Sequence, residues 1–236
     1  MPSSTVENYV KRIFLEQQGT SSTPLPMGRV ATSMGVTPGT ATTMVQALAQ
    51  AGLVRYEKRG GVRLTRNGQK LALHVLRRHR LVELFLVRVL GLDWSEVHAE
   101  AEELEHAVSE KVLDRIDRLL GHPRVDPHGD PIPSRNGIMA PASLRTLIDV
   151  KAGVGVVVTR VVDQDSDFLR FAEASGILPG VRLRVVEHNL PADAVTVHPH
   201  GRSPVTLGAT AASKILVERT PHARGGRRRG GLRTTG

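Results

Sequence analysis

Two short stretches constrain the middle of this chain more than anything else in it. His79-Arg-Leu-Val-Glu83 and His98-Ala-Glu-Ala-Glu-Glu-Leu-Glu-His106 repeat imidazole and carboxylate at separations of three and four residues. Those are the separations at which side chains become neighbours on one face of an α-helix. Folded as helices, the stretches bring Glu102, Glu105 and His106 to one point and His79, Glu83 and His98 to another nearby. Oxygen donors mixed with imidazole suit divalent manganese, iron or zinc. The competing reading is a solvated charged face with His98 and His106 as bystanders. On the second stretch alone the two readings stand level; His79 and Glu83 upstream favour ligands.

A chain of 236 residues has room for one large domain or two small ones. It holds no cysteine, which excludes disulfides, a zinc ribbon and a thiol nucleophile. No apolar run approaches the roughly 20 residues that cross a bilayer, and the N-terminus lacks a signal-peptide pattern, so the expectation is cytoplasmic with no membrane partner. The formal charge of +9 points to a polyanion. Part of it sits in Arg224-Gly-Gly-Arg-Arg-Arg229 and Arg233, so residues 220–236 read as a disordered Arg/Gly-rich tail. Aromatics at 3% argue against a surface that binds single strands by stacking.

Residues 1–66 read as a DNA-binding domain. Val6, Tyr9, Val10, Ile13 and Phe14 form one helical stripe, and Met27 to Met34 reads as a short helix. Thr37 caps a next helix with Pro38 at its first position. In that helix Ala41, Met44, Val45, Leu48 and Ala49 face inward, and Thr40, Thr42, Thr43 and Gln46 face out. Two alternating runs, Leu53 to Lys58 and Val62 to Thr65, flank Arg59-Gly60-Gly61 and signal a hairpin. Helix, turn, helix and basic hairpin make a winged helix-turn-helix. Thr37, Gly39, Thr40, Thr42, Thr43 and Gln46 are then the candidate groove contacts, and Arg55, Lys58, Arg59 and Arg63 the candidate phosphate contacts.

Residues 67–133 read as a helical dimerisation and metal-binding domain: a helix from Asn67 to about Leu90, then a second, capped by Asp93, running from Trp94 toward Leu120. Their apolar stripes (Leu81, Leu84, Phe85, Val89; Leu104, Val108, Val112, Ile116, Leu119) are able to form a dimer interface. Residues 134–149 read as a linker. Residues 150–219 alternate β-branched runs with turns around one helix, Phe168 to Ser175, and suit a small five-stranded SH3-type barrel. The fold class is therefore mainly α with a small β domain.

Catalysis finds little support. The zinc-peptidase helix motifs are absent, Glu103 and His106 give the di-iron Glu-x-x-His pattern only once, and there is no nucleophile elbow, P-loop or dinucleotide fingerprint. A metallohydrolase is the cross-class alternative, and a constitutive DNA-binding protein with a vestigial acidic cluster is another. No small-molecule substrate is implied.

Thr5-Val-Glu-Asn-Tyr9, Gly52-Leu-Val, Gly61-Val-Arg-Leu-Thr65, Arg78-His-Arg-Leu-Val-Glu83, Gly91-Leu-Asp-Trp-Ser-Glu-Val-His98, Glu105-His-Ala-Val-Ser-Glu110 and Pro127-His-Gly-Asp-Pro-Ile-Pro133 carry a resemblance. Over residues 1 to about 219 the chain resembles the diphtheria-toxin-repressor family of metal-dependent transcriptional regulators, and more closely its manganese-transport-regulator branch. The resemblance implies a homodimer on a palindromic operator, activated by Mn(II), with Fe(II) or another divalent transition metal as alternatives, and repressing metal-uptake genes. It implies one metal site at Glu102, Glu105, His106 and Asn8, and a second at His79, Glu83 and His98 completed by Gln164 and Asp167 of the barrel. The iron-responsive branch carries a cysteine where this chain has Glu102, and the carboxylate favours manganese. Asn8 and Lys11 depart from the family's acidic or Met residues, which weakens the link to the first helix.

Overall fold

The computed structural model describes residues 2–18, 24–141 and 143–220; the Arg-rich tail lies outside the described residues from residue 221 onward. Among them two units separate, one of the described residues up to 141 with 160–174, the other of 143–159 with 175–220.

In the first unit, α1 (Ser4–Gln18) buries Tyr9, Val10, Ile13 and Phe14. Glu7, Asn8 and Lys11, at i, i+1 and i+4, form a second face. Helix α2 (Met27–Ser33) and α3 (Pro38–Gln50) follow. Thr37 accepts a hydrogen bond from the Thr40 amide at 3.2 Å, and Pro38 opens α3, so cap and first-turn proline combine as their chemistry predicts. Strands β1 (Val54–Glu57) and β2 (Gly61–Leu64) pair antiparallel, Val54 opposite Leu64 and Glu57 opposite Gly61. Gly61 has φ +92°, and a Cβ there would lie 2.5 Å from the Leu25 carbonyl oxygen, because Leu25 bridges to Val62. The turn end of the hairpin tolerates only glycine at this point.

Helix α4 (Arg66–Arg88) is the beam of the unit. Its first half adds Ala72 and Leu76 to the winged-helix core, and its second half puts Leu81 and Leu84 into a separate core with Leu113, Ile116 and Ile132. A helix of 23 residues rising about 1.5 Å per residue spans roughly 34 Å, so one rigid element joins the winged-helix end to His79 and Glu83.

The helix expected from Trp94 to Leu120 is broken. Asp93 caps only a turn, accepting from the Ser95 amide at 2.7 Å, and the helices are α5 (Val97–Leu104) and α6 (Glu110–Leu119). Between them the Glu105 carbonyl is taken by the Arg78 guanidinium at 3.0 Å, and Ser109 starts α6 by accepting from the Val112 amide. Glu105 keeps helical dihedrals, so Glu102, Glu105 and His106 still share a face. The stripes read as a dimer face divide: Leu81, Leu84 and Ile116 are buried within the unit, while Val89, Leu104, Val112 and Leu119 are exposed.

The second unit is built on a five-stranded sheet in the order β6-β5-β4-β3-β7, from β3 (Gly155–Val161), β4 (Arg182–Asn189), β5 (Ala194–Pro199), β6 (Val205–Gly208) and β7 (Ile215–Arg219). Alternate residues Val156, Val158, Leu183, Val185, Val195 and Val197 are buried, the period-two pattern of a sheet with one packed face. A short helix, α8 (Ala209–Ser213), precedes β7. Residues 143–149, read as linker, are held to this sheet: Thr146 bridges to Leu216 and Leu147 is buried. Helix α7 (Ser166–Ala174), with residues 160–165, clusters instead with the first unit. Trp94 donates its indole N–H to Glu173 at 3.2 Å, and Ser166 donates to the Ser95 carbonyl at 2.7 Å.

Candidate metal centre

His79 and Glu83 lie one turn apart on α4, and α5 brings His98 beside them. His79 Nε2 and His98 Nδ1 are 2.9 and 3.0 Å from the same Glu83 Oε1, and 3.1 Å from each other. Donors around one ion with bonds of about 2.1 Å lie roughly 3 Å apart, so these three side chains fit a divalent cation as they stand. The set also requires positive charge. Burial works against a charged His79, but the Glu83 charge and hydrogen bonds to Glu105 and Glu83 prevail and raise it to about 9. Burial likewise works against an ionised Glu83, and His79 and His98 overcome it, holding this carboxyl well below the ordinary range. A proton on His79 thus does electrostatically what a bound ion would do, and the two compete for Nε2. Apparent metal affinity is expected to rise by up to tenfold per unit from pH 7 to about 9 and then level off. Calorimetric titrations across that range check this, and a flat profile would exclude His79 as a ligand.

The second candidate set is built differently from the sequence expectation. Lys11 lies between the carboxylates, its Nζ 2.7 Å from both Glu102 Oε1 and Glu105 Oε1. Burial disfavours the ionised Glu102, yet the Lys11 charge and hydrogen bond lower it below its usual range. His106 Nε2 is 2.9 Å from Asn8 Oδ1 and 3.4 Å from Glu105 Oε1. Its Nδ1 is 2.7 Å from Glu7 Oε2. A carboxylate on Nδ1 holds a histidine in the tautomer that leaves Nε2 free to ligate. These residues therefore offer a donor set, but its two carboxylates already hold a cation of the protein's own. The fit is poorer than at His79, Glu83 and His98.

Glu7 escaped the sequence reading. Its signal was an acid one turn before Lys11, on the face of α1 away from Tyr9 and Ile13. Arg78, also buried, reaches both Glu7 at 3.3 Å and the Glu105 carbonyl. The barrel candidates are not gathered in. Asp167 is exposed and bound to Arg170 at 2.8 Å, and Gln164, in the loop before α7, has no hydrogen bond to any candidate ligand among the described residues.

A third group lies behind Glu83. Asp126 and His128, from the Pro/Gly-rich segment after α6, are buried with it, a ligand atom from each lying within 4.8 Å of the others. Burial pushes the Asp126 carboxyl well above the usual carboxylate range, and the charges of Asp130 and Glu83 add to the rise against the pull of Arg80. Sequence reading used Pro127 to Pro133 for the family resemblance and assigned no ligand to Asp126 or His128.

At the other end of the unit, Thr40, Thr43 and Gln46 form an exposed stripe at spacing three along α3, with Thr42 half-buried. Thr42 and Thr43 donate their hydroxyls back to the Pro38 and Gly39 carbonyls at 2.7 and 3.1 Å, turning methyl groups and oxygen lone pairs outward. Arg55, Lys58, Arg59 and Arg63 of the hairpin are all exposed. No helix is long and apolar enough to cross a membrane among the described residues.

Comparison with known proteins matches three consecutive family models. Residues 1–62 match the N-terminal DNA-binding domain of iron-dependent repressors, 65–134 their metal-binding and dimerisation domain, and 145–219 the FeoA domain. The iron-dependent repressor IdeR of Mycobacterium tuberculosis (strain ATCC 25618 / H37Rv) is 36% identical over 228 residues, 91% of this chain and 97% of IdeR. A manganese-dependent transcriptional repressor in complex with manganese superposes with TM-score 0.82 at 39% identity, over 91% of this chain and all of that one. ScaR with bound Cd2+ superposes with TM-score 0.75 at 30% identity, covering 93% of this chain and all of ScaR.

Proposed function

The chain belongs to the diphtheria-toxin-repressor family of metal-dependent transcriptional repressors, which bind DNA rather than catalyse, and from that premise we propose that it is a manganese-activated homodimer that represses metal-uptake genes from a palindromic operator. One observation carries the reading: the face of α1 opposite its core is tied to the same side-chain network that presents His79, Glu83 and His98. Glu7 and Asn8 hold His106, Lys11 holds Glu102 and Glu105, and Glu105 Oε2 is 2.7 Å from His79 Nδ1. Whatever fixes His79 also fixes Glu105 and, through it, the helix on which α2 and α3 are mounted.

Bound there, a divalent ion supplies the positive charge that the His79 proton otherwise provides. The protein's own residues do the rest. Glu105 transmits the position of His79 to Lys11, α1 carries it to the winged helix, and α4 keeps the distance to α3 constant. Two protomers joined through the exposed Val89, Leu90, Leu104, Val112 and Leu119 would set their α3 helices about one DNA turn apart. A ligand shifts such an equilibrium only by its differential affinity for the competent arrangement, so a spacing set by α1 is where that difference is felt. Gln46 can read adenine, and the Thr40 and Thr43 methyls a thymine.

Manganese is favoured over iron by the all-oxygen and imidazole donors, with Glu102 where a thiolate would favour a softer ion. Anaerobic operator titrations at buffered free Mn(II) and Fe(II) test the choice. The reading requires DNA binding at a lower free concentration of manganese than the cell's exchangeable pool of that ion. Activation by iron alone would make the chain an iron-responsive member instead.

A further inference from the structure

Glu83 uses only half of its carboxylate on His79 and His98. Its other oxygen, Oε2, is buried without a hydrogen-bond partner, and so are Asp126 Oδ2 and His128 Nδ1. These orphans belong to the three residues whose ligand atoms lie within 4.8 Å of one another, and Glu83 and His128 have no solvent exposure at all. A buried polar atom without a partner loses its hydration and gains nothing in return, so three on one cluster of side chains call for an occupant.

The chemistry of the three atoms defines that occupant. His128 Nε2 is 2.8 Å from the Trp94 carbonyl oxygen, which only an N–H can satisfy. With a neutral ring, the proton sits on Nε2 and Nδ1 presents a lone pair. Asp126 Oδ1 accepts the amides of His128 and Asp130, both at 2.9 Å, which fixes the carboxylate with Oδ2 directed away from them. The nearest cation to Asp126 Oδ2 is Arg80 Nε at 3.5 Å, beyond hydrogen-bond range of a guanidinium committed to Pro131 and Asp130 at 2.6 and 3.0 Å. The three orphaned atoms are thus electron-pair donors on side chains that each bring one ligand atom within 4.8 Å of the others. Water has two hydrogens to give, and a single proton would satisfy one pair and leave the third atom bare.

We propose that Glu83 Oε2, Asp126 Oδ2 and His128 Nδ1 hold a divalent transition-metal ion of their own, with Glu83 bridging it to the cation site formed by its Oε1, His79 and His98. Two carboxylate oxygens and one imidazole nitrogen, all rigidly held, suit manganese, iron, cobalt or zinc. The hydrogen bond from His128 to a main-chain carbonyl is the usual support of a ligating histidine. The site lies on the segment after α6, far in sequence from the first helix. Its role is to fix that segment against α4, and so to stiffen the back of the sensor site. The ion is reported by a built-in probe, because Trp94, the chain's sole tryptophan, stacks on His128 with ring centroids 5.4 Å apart.

The test uses Co(II) on the full-length metal-free protein, reading bound ion by equilibrium dialysis and Trp94 quenching by fluorescence. His98→Ala removes the neighbouring site, and this variant should still take up an equivalent of Co(II) with quenching of Trp94. Adding Asp126→Asn should abolish both, lowering uptake by one ion per chain. Unchanged uptake and quenching in the double variant would overturn the proposal. Anomalous diffraction from wild-type crystals soaked in Mn(II) keeps the test independent of how the variants fold. A peak among Glu83, Asp126 and His128 supports the site; a peak only at His79, Glu83 and His98 overturns it and leaves a proton on Asp126 as the counter-charge. Neither arm involves DNA, so the result stands apart from the repressor reading.

Discussion

Glu83→Gln is expected to lose about 100-fold in Mn(II)-dependent operator affinity, a coupling at the upper end of the usual range for linked sites, while binding in chelator stays at the wild-type level. The substitution keeps the shape of a fully buried side chain and removes only its charge. That charge is what His79 Nε2 and His98 Nδ1 share at 2.9 and 3.0 Å. Without it, neither the His79 proton nor a divalent ion has a counter-charge at this point, so the protein should sit in its metal-free arrangement whether or not Mn(II) is supplied. The proposed contacts to DNA lie on α3 and the hairpin, which the substitution leaves alone. Fluorescence anisotropy of a labelled operator in chelator and in excess Mn(II) checks both halves. A parallel loss under both conditions would mean that Glu83 acts on folding rather than on sensing.

Lys11→Met is expected to destabilise the metal-free protein by about 3–5 kcal/mol, the cost of breaking a buried ion pair from one side. Glu105 has no solvent exposure and Lys11 is 5% exposed, so the Glu105 oxygen that Lys11 abandons cannot hydrate, although Glu102 is partly exposed. For a unit of this size the midpoint of thermal unfolding should fall by about 10 °C. The informative half is the rescue. With the ammonium gone, Glu102, Glu105, His106 and Asn8 become an ordinary site for a divalent ion. Excess Mn(II) at about 100 times its dissociation constant returns roughly 2.7 kcal/mol. Wild-type protein should gain less from the same addition, since its own lysine holds those oxygens. Calorimetric melting of both proteins with and without Mn(II) decides the point, and equal melting temperatures in chelator would show that Lys11 does not stabilise the fold through Glu102 and Glu105.

How far the sequence foretold this arrangement depends on the distance over which each signal acts. Helix caps and turns are local, and Thr37 with Pro38, Gly61 beside the hairpin turn and the alternation of the hairpin are legible because the physics involves only neighbours. The i, i+4 relation of His79 and Glu83 is legible for the same reason. The break between α5 and α6 is not, because Glu105 gives its carbonyl to Arg78, a residue distant in sequence. Glu7 and Lys11 belong to the same class: their partners His106, Glu102 and Glu105 lie more than 90 residues away. The sequence marked Lys11 as a departure from an acidic family position. Its meaning as a cation inserted between two carboxylates needed the structure. Asp126 and His128 were passed over because a Pro/Gly-rich segment carries no periodicity, so nothing in it marks a side chain as inward. Asp167, an acid chosen by resemblance, is exposed in this fold and pairs with Arg170.

Coupling between the His79, Glu83 and His98 cluster and α3 is the central claim. The operator affinity of the wild-type protein, measured once in chelator and once at saturating Mn(II) under the same ionic strength, tests it most directly. The structure predicts binding about 100-fold tighter with Mn(II), because α1 and α4 tie α3 to that cluster. Equal affinity under the two conditions would contradict it, leaving a DNA-binding protein whose buried acids and imidazoles serve only the fold.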